Sequence, residues 1–213
     1  VNNYKILLLD EDSETKKYVK RIKVVGTDVE VVCEVETYTS EIQLLKSFLK
    51  YLRKFDPSII TGWHTDFFDM PYMYNRIEKI LGRDYSNMLS PINVVKKSNY
   101  MGKSELVIAG LYNLDYLNLY KKFTYSEEPT YQLDAIAKKE LGIGKIEYEG
   151  SLDDLWREDP DKFISYSVID TWLVKSMDSK LDYIDIACGI CHKGHVPYSD
   201  ITFTSKYLEG ALL

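Results

Sequence analysis

An α/β fold with a mixed sheet is what this sequence predicts, on three observations. The first third carries β-branched runs separated by a turn signal. After residue 40, strand and helix patterns alternate. No repeat, low-complexity tract or linker-like stretch interrupts the 213 residues.

Taken in order, Tyr4 to Leu9 is an apolar run, and Tyr18 to Val25 and Val29 to Val35 flank the turn Gly26-Thr27-Asp28. Ser40 with Gln43 forms a capping box for a helix with apolar positions Ile42, Leu45, Phe48, Leu49 and Leu52. Asp56-Pro57 ends it. Ser58 to Thr61 reads as a short buried strand, and Pro71 to Leu81 as a helix stopped by Gly82. Residues 83–104 lack periodicity, and 105–109 read as a strand. Leu111 to Lys122 and Leu133 to Leu141 read as helices, the second broken by Gly142 and Gly144. Asp159-Pro160 opens the longest helix, expected through Met177 and on to about Ile190.

Composition excludes several classes. Hydrophobic residues make up 45% of the chain, too many for intrinsic disorder. No apolar run reaches the ~20 residues of a membrane span. The net charge, −6 from 27 basic and 33 acidic residues, argues against nucleic-acid binding by bulk charge alone. It leaves room for carboxylates that hold divalent metals. Three cysteines, Cys33, Cys188 and Cys191, are too few for a disulfide framework and point to a reducing compartment, the cytoplasm. The chain opens on Val1 without a signal peptide and is expected to be a piece of a larger protein.

Two short patterns could carry chemistry. In TGWHTDFFDMPYMYNRI (Thr61 to Ile77), Asp69 follows a strand and precedes a helix. It can serve as an N-cap, or as a ligand-binding carboxylate beyond a strand's carboxyl end. Tyr166 and Asp170 stand four apart, on one helix face. Asp170 there is either a surface salt-bridge partner or a carboxylate that needs a partner or a metal. Cys188, Cys191, His192 and His195 have spacing that zinc could use, against the plainer reading of a helix end with core-facing cysteines.

Together, TGWHTDFFDMPYMYNR and YSVID about a hundred residues later resemble the second and third exonuclease motifs of family B DNA polymerases, of the tailed-phage variety. FDPSIITGW, LDYLNLYKKF, YQLDAIAKKELG and IDIACGICHKGHVPYSDI are similar to the segments around those motifs, so the likeness covers nearly the whole chain. It implies a ribonuclease H-like mixed sheet flanked by helices, with residues 1–185 as a 3′–5′ exonuclease domain and 186–213 leading toward the polymerase palm.

The resemblance also implies proofreading: hydrolysis of the 3′-terminal nucleotide with two divalent ions, Mg or Mn. Asp69 and Asp170 match metal-binding aspartates. Tyr166 matches the tyrosine that orients the attacking water, and Phe68 would stack on a terminal base. His64 stands where the family has Asn, and is the substrate contact that departs from the pattern. The implied partners are a single-stranded DNA 3′ end, primer-template DNA and the remaining polymerase domains, with no membrane, in the host cytoplasm for a viral source.

The family's first motif, Asp-x-Glu, has only Asp10-Glu11-Asp12 and Asp12-Ser13-Glu14 as candidates. ILLLDEDSE looks more like the family's second strand and acidic turn, so the first strand is expected upstream of Val1 and the 213 residues alone are expected to be inactive. Two alternatives remain open at this point: a DNA-holding module that has lost hydrolysis, and a free-standing exonuclease.

Overall fold

Strand β3 (Glu30–Tyr38) is flanked by β1 (Asn3–Leu9), which runs parallel to it, and β2 (Lys17–Lys23), which runs antiparallel. This is the mixed sheet that the β-branched runs predict. Alternation along β3 buries Val31, Cys33 and Val35 on one face. On the other, the register sets Lys5 opposite Glu34 and Lys17 opposite Glu36. Both lysines converge on the Glu36 carboxylate, at 2.7 and 2.9 Å, and the Tyr38 hydroxyl donates to it at 2.6 Å. Three partners make that buried acid tolerable. The turn before β3 closes through Val24 N–H on the Val29 carbonyl, with Gly26 at φ 83°.

The structure, a computed structural model, describes residues 3–12, 14–100 and 103–212. The chain divides into two compact units: Val1–Lys46 with Pro129–Lys180, and Ser47–Glu128 with Leu181–Leu213. Helix α1 (Glu41–Phe55) crosses that division and buries Leu45 and Leu49.

The second unit continues with β4 (Ile59–Gly62), α2 (Asp69–Leu81), α3 (Arg83–Asn87), the hairpin β5 (Val95–Tyr100) and β6 (Lys103–Ile108), and then β7 (Tyr112–Asp115). Here the structure corrects two expectations. Residues 83–104, without periodicity in sequence, hold α3 and β5. The helix expected over Leu111–Lys122 is a strand followed by a helix: β7 pairs parallel with β4, and only then does α4 (Tyr116–Phe123) begin. Asp115 makes the switch, its carboxylate capping α4 through Leu117 N–H. After α4 the aromatics gather: Trp63 lies 6.4 and 6.1 Å from the Tyr116 and Tyr120 rings, and Tyr183 is 6.2 Å from each of those tyrosines. Large aromatic areas taken from water here give this unit much of its core.

The first unit resumes with α5 (Leu133–Leu141), α6 (Leu152–Glu158) and α7 (Pro160–Leu181). Gly142 ends α5 in the left-handed conformation, φ 72°, as its position predicts. A capping box of Ser151 and Asp154 starts α6, a helix the sequence reading did not include. The longest helix stops at Leu181 rather than running on toward Ile190. Asp182 turns left-handed at φ 54°, and α8 (Tyr183–Lys193) starts afresh. A 3₁₀ turn (Tyr198–Thr202) and α9 (Thr204–Leu212) complete the described chain. Among the described residues no helix is long and apolar enough to cross a membrane.

Candidate active site

In the second unit, β4 and β7 end side by side, with Gly62 paired to Asp115. The carboxyl ends of parallel strands are where open α/β sheets place ligands. The loop from Trp63 to Phe68 is held there by one acid. Asp115, 2% exposed, accepts from His64 N–H at 3.0 Å and Asp66 N–H at 3.2 Å, as well as from Leu117 N–H at 3.0 Å. Asp66 is fixed in turn by the side-chain amides of Asn113 and Asn118, at 2.6 and 2.9 Å. Gly62 has no room for a side chain, since a Cβ would meet the Thr65 methyl at 2.6 Å.

The loop delivers Asp69 as the first residue of α2. The N-cap is Phe68, which has no side-chain cap bond, so of the two readings of Asp69 the N-cap one does not hold at that position. The reason is local. A cap at Asp69 would accept from residues 71 and 72, but Pro71 has no N–H and the Tyr72 N–H already bonds to the Phe68 carbonyl at 2.9 Å. Partial burial, and then the negative charge of Asp115, push the Asp69 carboxyl above the usual carboxylate range, against its own backbone N–H and His64. His64 has φ 72°. His is among the few side chains enriched in that conformation.

In the first unit, Tyr166 and Asp170 share a face of α7, as their spacing predicts. Tyr166 acts with Lys145 to lower the Asp170 carboxyl. Asp170 Oδ2 is 2.5 Å from the Lys145 ammonium, which also donates to the Tyr166 hydroxyl at 3.2 Å. Lys145 is held in place through its own N–H, bonded to Asp134 of α5 at 2.7 Å. The Tyr148 ring packs edge-on against Tyr166 at 5.2 Å.

Asp170 Oδ1 is buried and has no hydrogen-bond partner. Burial raises the Asp170 carboxyl, and Lys145 and Tyr166 only partly reverse it. For Lys145 burial works the other way, yet Asp170 and Tyr166 outweigh it and the ammonium is favoured. The two directions agree: the cation is well served, and the more deeply buried acid is still short of one partner. Lys145 was not among the residues singled out in the sequence. Its only signal was Gly144, where a Cβ would collide with Asp134 and Lys138.

The other acidic candidates lie elsewhere in the first unit. Asp10 and Asp12 line a cavity of about 360 Å³ with Tyr18, Trp156, Arg157 and Asp161. Ser13 lies outside the described residues. Among the described residues no three His, Cys, Asp or Glu side chains gather as a metal-holding group, and Cys188, Cys191, His192 and His195 form none. Burial pushes the Cys191 thiol up, so it is a core group rather than a reactive one.

Asp69 and Asp170 suit hard divalent cations: each is an oxygen donor, and Asp170 has a buried oxygen without a hydrogen-bond partner. Their raised carboxyls set a pH dependence. A metal ligand must be deprotonated, so Mn²⁺ affinity should fall on acidification while an ordinary carboxylate, pKa about 4, is still ionised. Without metal the sign reverses. A carboxyl raised by folding binds its proton more tightly when folded, so without metal these two groups contribute stability that grows as pH drops through that window. Calorimetric Mn²⁺ titrations between pH 7 and 4.5 check this, and a flat affinity down to pH 4.5 would contradict it.

The model of the family B DNA polymerase exonuclease domain matches residues 2–136. The chain is 36% identical over 156 residues to the DNA-directed DNA polymerase of Escherichia phage RB69, covering 70% of this chain and 17% of that protein. It is 33% identical over 168 residues to the DNA-directed DNA polymerase of Enterobacteria phage T4, covering 77% and 19%. A DNA polymerase catalytic subunit of human herpesvirus 7 is 29% identical over 201 residues, covering 84% and 19%. The chain thus spans less than a fifth of the length of these relatives. With the α/β architecture expected for it, this chain belongs to the exonuclease domain family of the family B DNA polymerases.

Proposed function

We propose that these residues form the 3′–5′ proofreading exonuclease of a replicative DNA polymerase, hydrolysing the last phosphodiester of a mispaired 3′ end. One observation carries the reading beyond family membership. Asp170 has one oxygen held by Lys145, which also donates to Tyr166, and a second that is buried and without a hydrogen-bond partner.

In this reading Asp69 and Asp170 hold divalent Mg or Mn, two ions in the complete domain. When bound, the ions stabilise charge on the phosphoryl group and lower the pKa of the attacking water. The chain's own groups do the rest. Tyr166, fixed between Lys145, Asp170 and Tyr148, orients the water for in-line attack. Water oxygen bonds to phosphorus, the 3′ oxygen of the preceding nucleotide leaves with a proton, and a nucleoside 5′-monophosphate is released. Lys145 holds Asp170 in its ionised form and stands as a cation beside the reacting phosphate. His64 and Phe68 contact the terminal nucleotide. The partners are the single-stranded 3′ end, primer-template DNA and the other polymerase domains, toward which residues 186–213 lead. The work is done in the cytoplasm.

The test is Tyr166→Phe in the full-length polymerase. It deletes one hydroxyl and leaves both carboxylates, so single-turnover removal of a 3′ mismatch should slow by ~10–10²-fold. Polymerisation should be unchanged. An unchanged exonuclease rate would remove Tyr166 from the mechanism.

A further inference from the structure

Two carboxamides flank Asp115: Asn113 in β7, and Asn118 in the first turn of α4. Both reach back to the loop that follows β4. The Asn113 amide donates to one Asp66 oxygen at 2.6 Å, and the Asn118 amide to the other at 2.9 Å. The Asn113 side-chain oxygen also accepts from the Thr65 hydroxyl at 2.9 Å, so a flipped amide would break both of its bonds. With the His64 and Asp66 N–H groups on Asp115, these make five hydrogen bonds from a six-residue stretch to three consecutive loop residues. Asp115 already pairs the loop's backbone. What the two amides add is the direction of the Thr65 and Asp66 side chains.

That direction matters at both ends of the loop. His64 stands at φ 72°, a left-handed conformation for a residue other than glycine. Such a conformation persists where the surroundings over-determine it, and it gathers at functional sites. At the other end, the Thr65 carbonyl accepts from Met70 N–H at 3.1 Å, which ties the clamped residue to the one directly after Asp69. A shift at Asn113 or Asn118 is therefore carried to the candidate metal ligand. Neutral amides fix the Asp66 carboxylate without adding a positive charge beside a site meant for cations.

We infer that Asn113 and Asn118 are positioning residues for the exonuclease reaction, clamping Thr65 and Asp66 so that the loop holds His64 and Asp69 in their working geometry. This rests on the exonuclease reading above and extends it to two residues that act only through the loop. A small misplacement of a catalytic group costs rate before it costs binding.

The test uses the full-length polymerase, a 3′-mismatched primer-template and saturating Mn²⁺. Asn118→Asp sets a second carboxylate against Asp66, so kcat for mismatch removal should fall about tenfold, with KM for DNA within about threefold. Adding Asp66→Asn puts a donor opposite an acceptor again and should bring kcat back to within about threefold of the unsubstituted enzyme. Asn118→Ala removes the donor without adding charge and should lower kcat about threefold, which carries the test if Asn118→Asp fails to fold. Polymerisation should be unchanged throughout. Unchanged kcat in Asn118→Asp and Asn118→Ala, or no recovery in the double variant, with Asp170→Asn inactive, would overturn the clamp and leave the exonuclease reading standing. Parallel losses of polymerisation and thermal stability would make both carboxamides merely structural, which also overturns it. Full hydrolysis by Asp170→Asn would overturn the exonuclease reading itself.

Discussion

Asp170→Asn in the full-length polymerase should lower the exonuclease rate by at least ~10³-fold, about 4 kcal/mol of barrier, and leave polymerisation nearly unchanged. The substitution keeps the size of the side chain on a helix whose neighbouring Val168, Ile169 and Leu173 are buried, so packing survives. What it removes is the charge. An amide oxygen is a poorer ligand for a hard cation, and an amide nitrogen facing the Lys145 ammonium is repelled where Oδ2 was attracted. The loss should exceed that of Tyr166→Phe, which deletes a single hydrogen bond. Equal damage to polymerisation would instead indicate misfolding, and unchanged proofreading would reduce the Lys145–Asp170 pair to a structural salt bridge.

Asp115→Ala should destabilise the 213-residue chain by about 3–5 kcal/mol. Its carboxylate caps α4, worth about 1 kcal/mol. It also satisfies the N–H groups of His64 and Asp66, and each donor left buried and unpaired costs about 1–3 kcal/mol. Asp115→Asn retains one acceptor oxygen and should cost roughly half as much. Urea unfolding measures both. A loss below about 1 kcal/mol for Asp115→Ala would mean that water reaches these groups and that the loop before Asp69 is held by something else.

The different fates of these residues in sequence have physical reasons. Tyr166 and Asp170 were legible because a helix turns a spacing of four into a shared face. Lys145 was not, because its partnership spans 25 residues and depends on a glycine-bearing turn that carries no charge signal. Strands β1 to β3 announced themselves through β-branched runs and the Gly26 turn. Strand β7 hid because Leu111, Leu114 and Leu117 repeat every three residues, as a helix would, and its pairing with β4 overrides that local signal. The break between α7 and α8 was invisible for a similar reason. Asp182 adopts a left-handed conformation that usually marks glycine, and neither Gly nor Pro stands there to signal it. The Asp69 pattern was ambiguous between cap and ligand. Backbone bonds place Phe68, not Asp69, at the N-cap position.

Asp69 and Asp170 are proposed to serve one reaction, and a double-mutant cycle tests this most directly. Single-turnover hydrolysis of a 3′-mismatched primer would be measured for the full-length polymerase with Asp69→Asn, with Asp170→Asn and with both. Groups that act as a unit are strongly non-additive. The double variant should therefore be no more than a few-fold slower than the slower single variant, with polymerisation intact in all three. Losses that multiply, or a single variant that retains full mismatch removal, would contradict the claim.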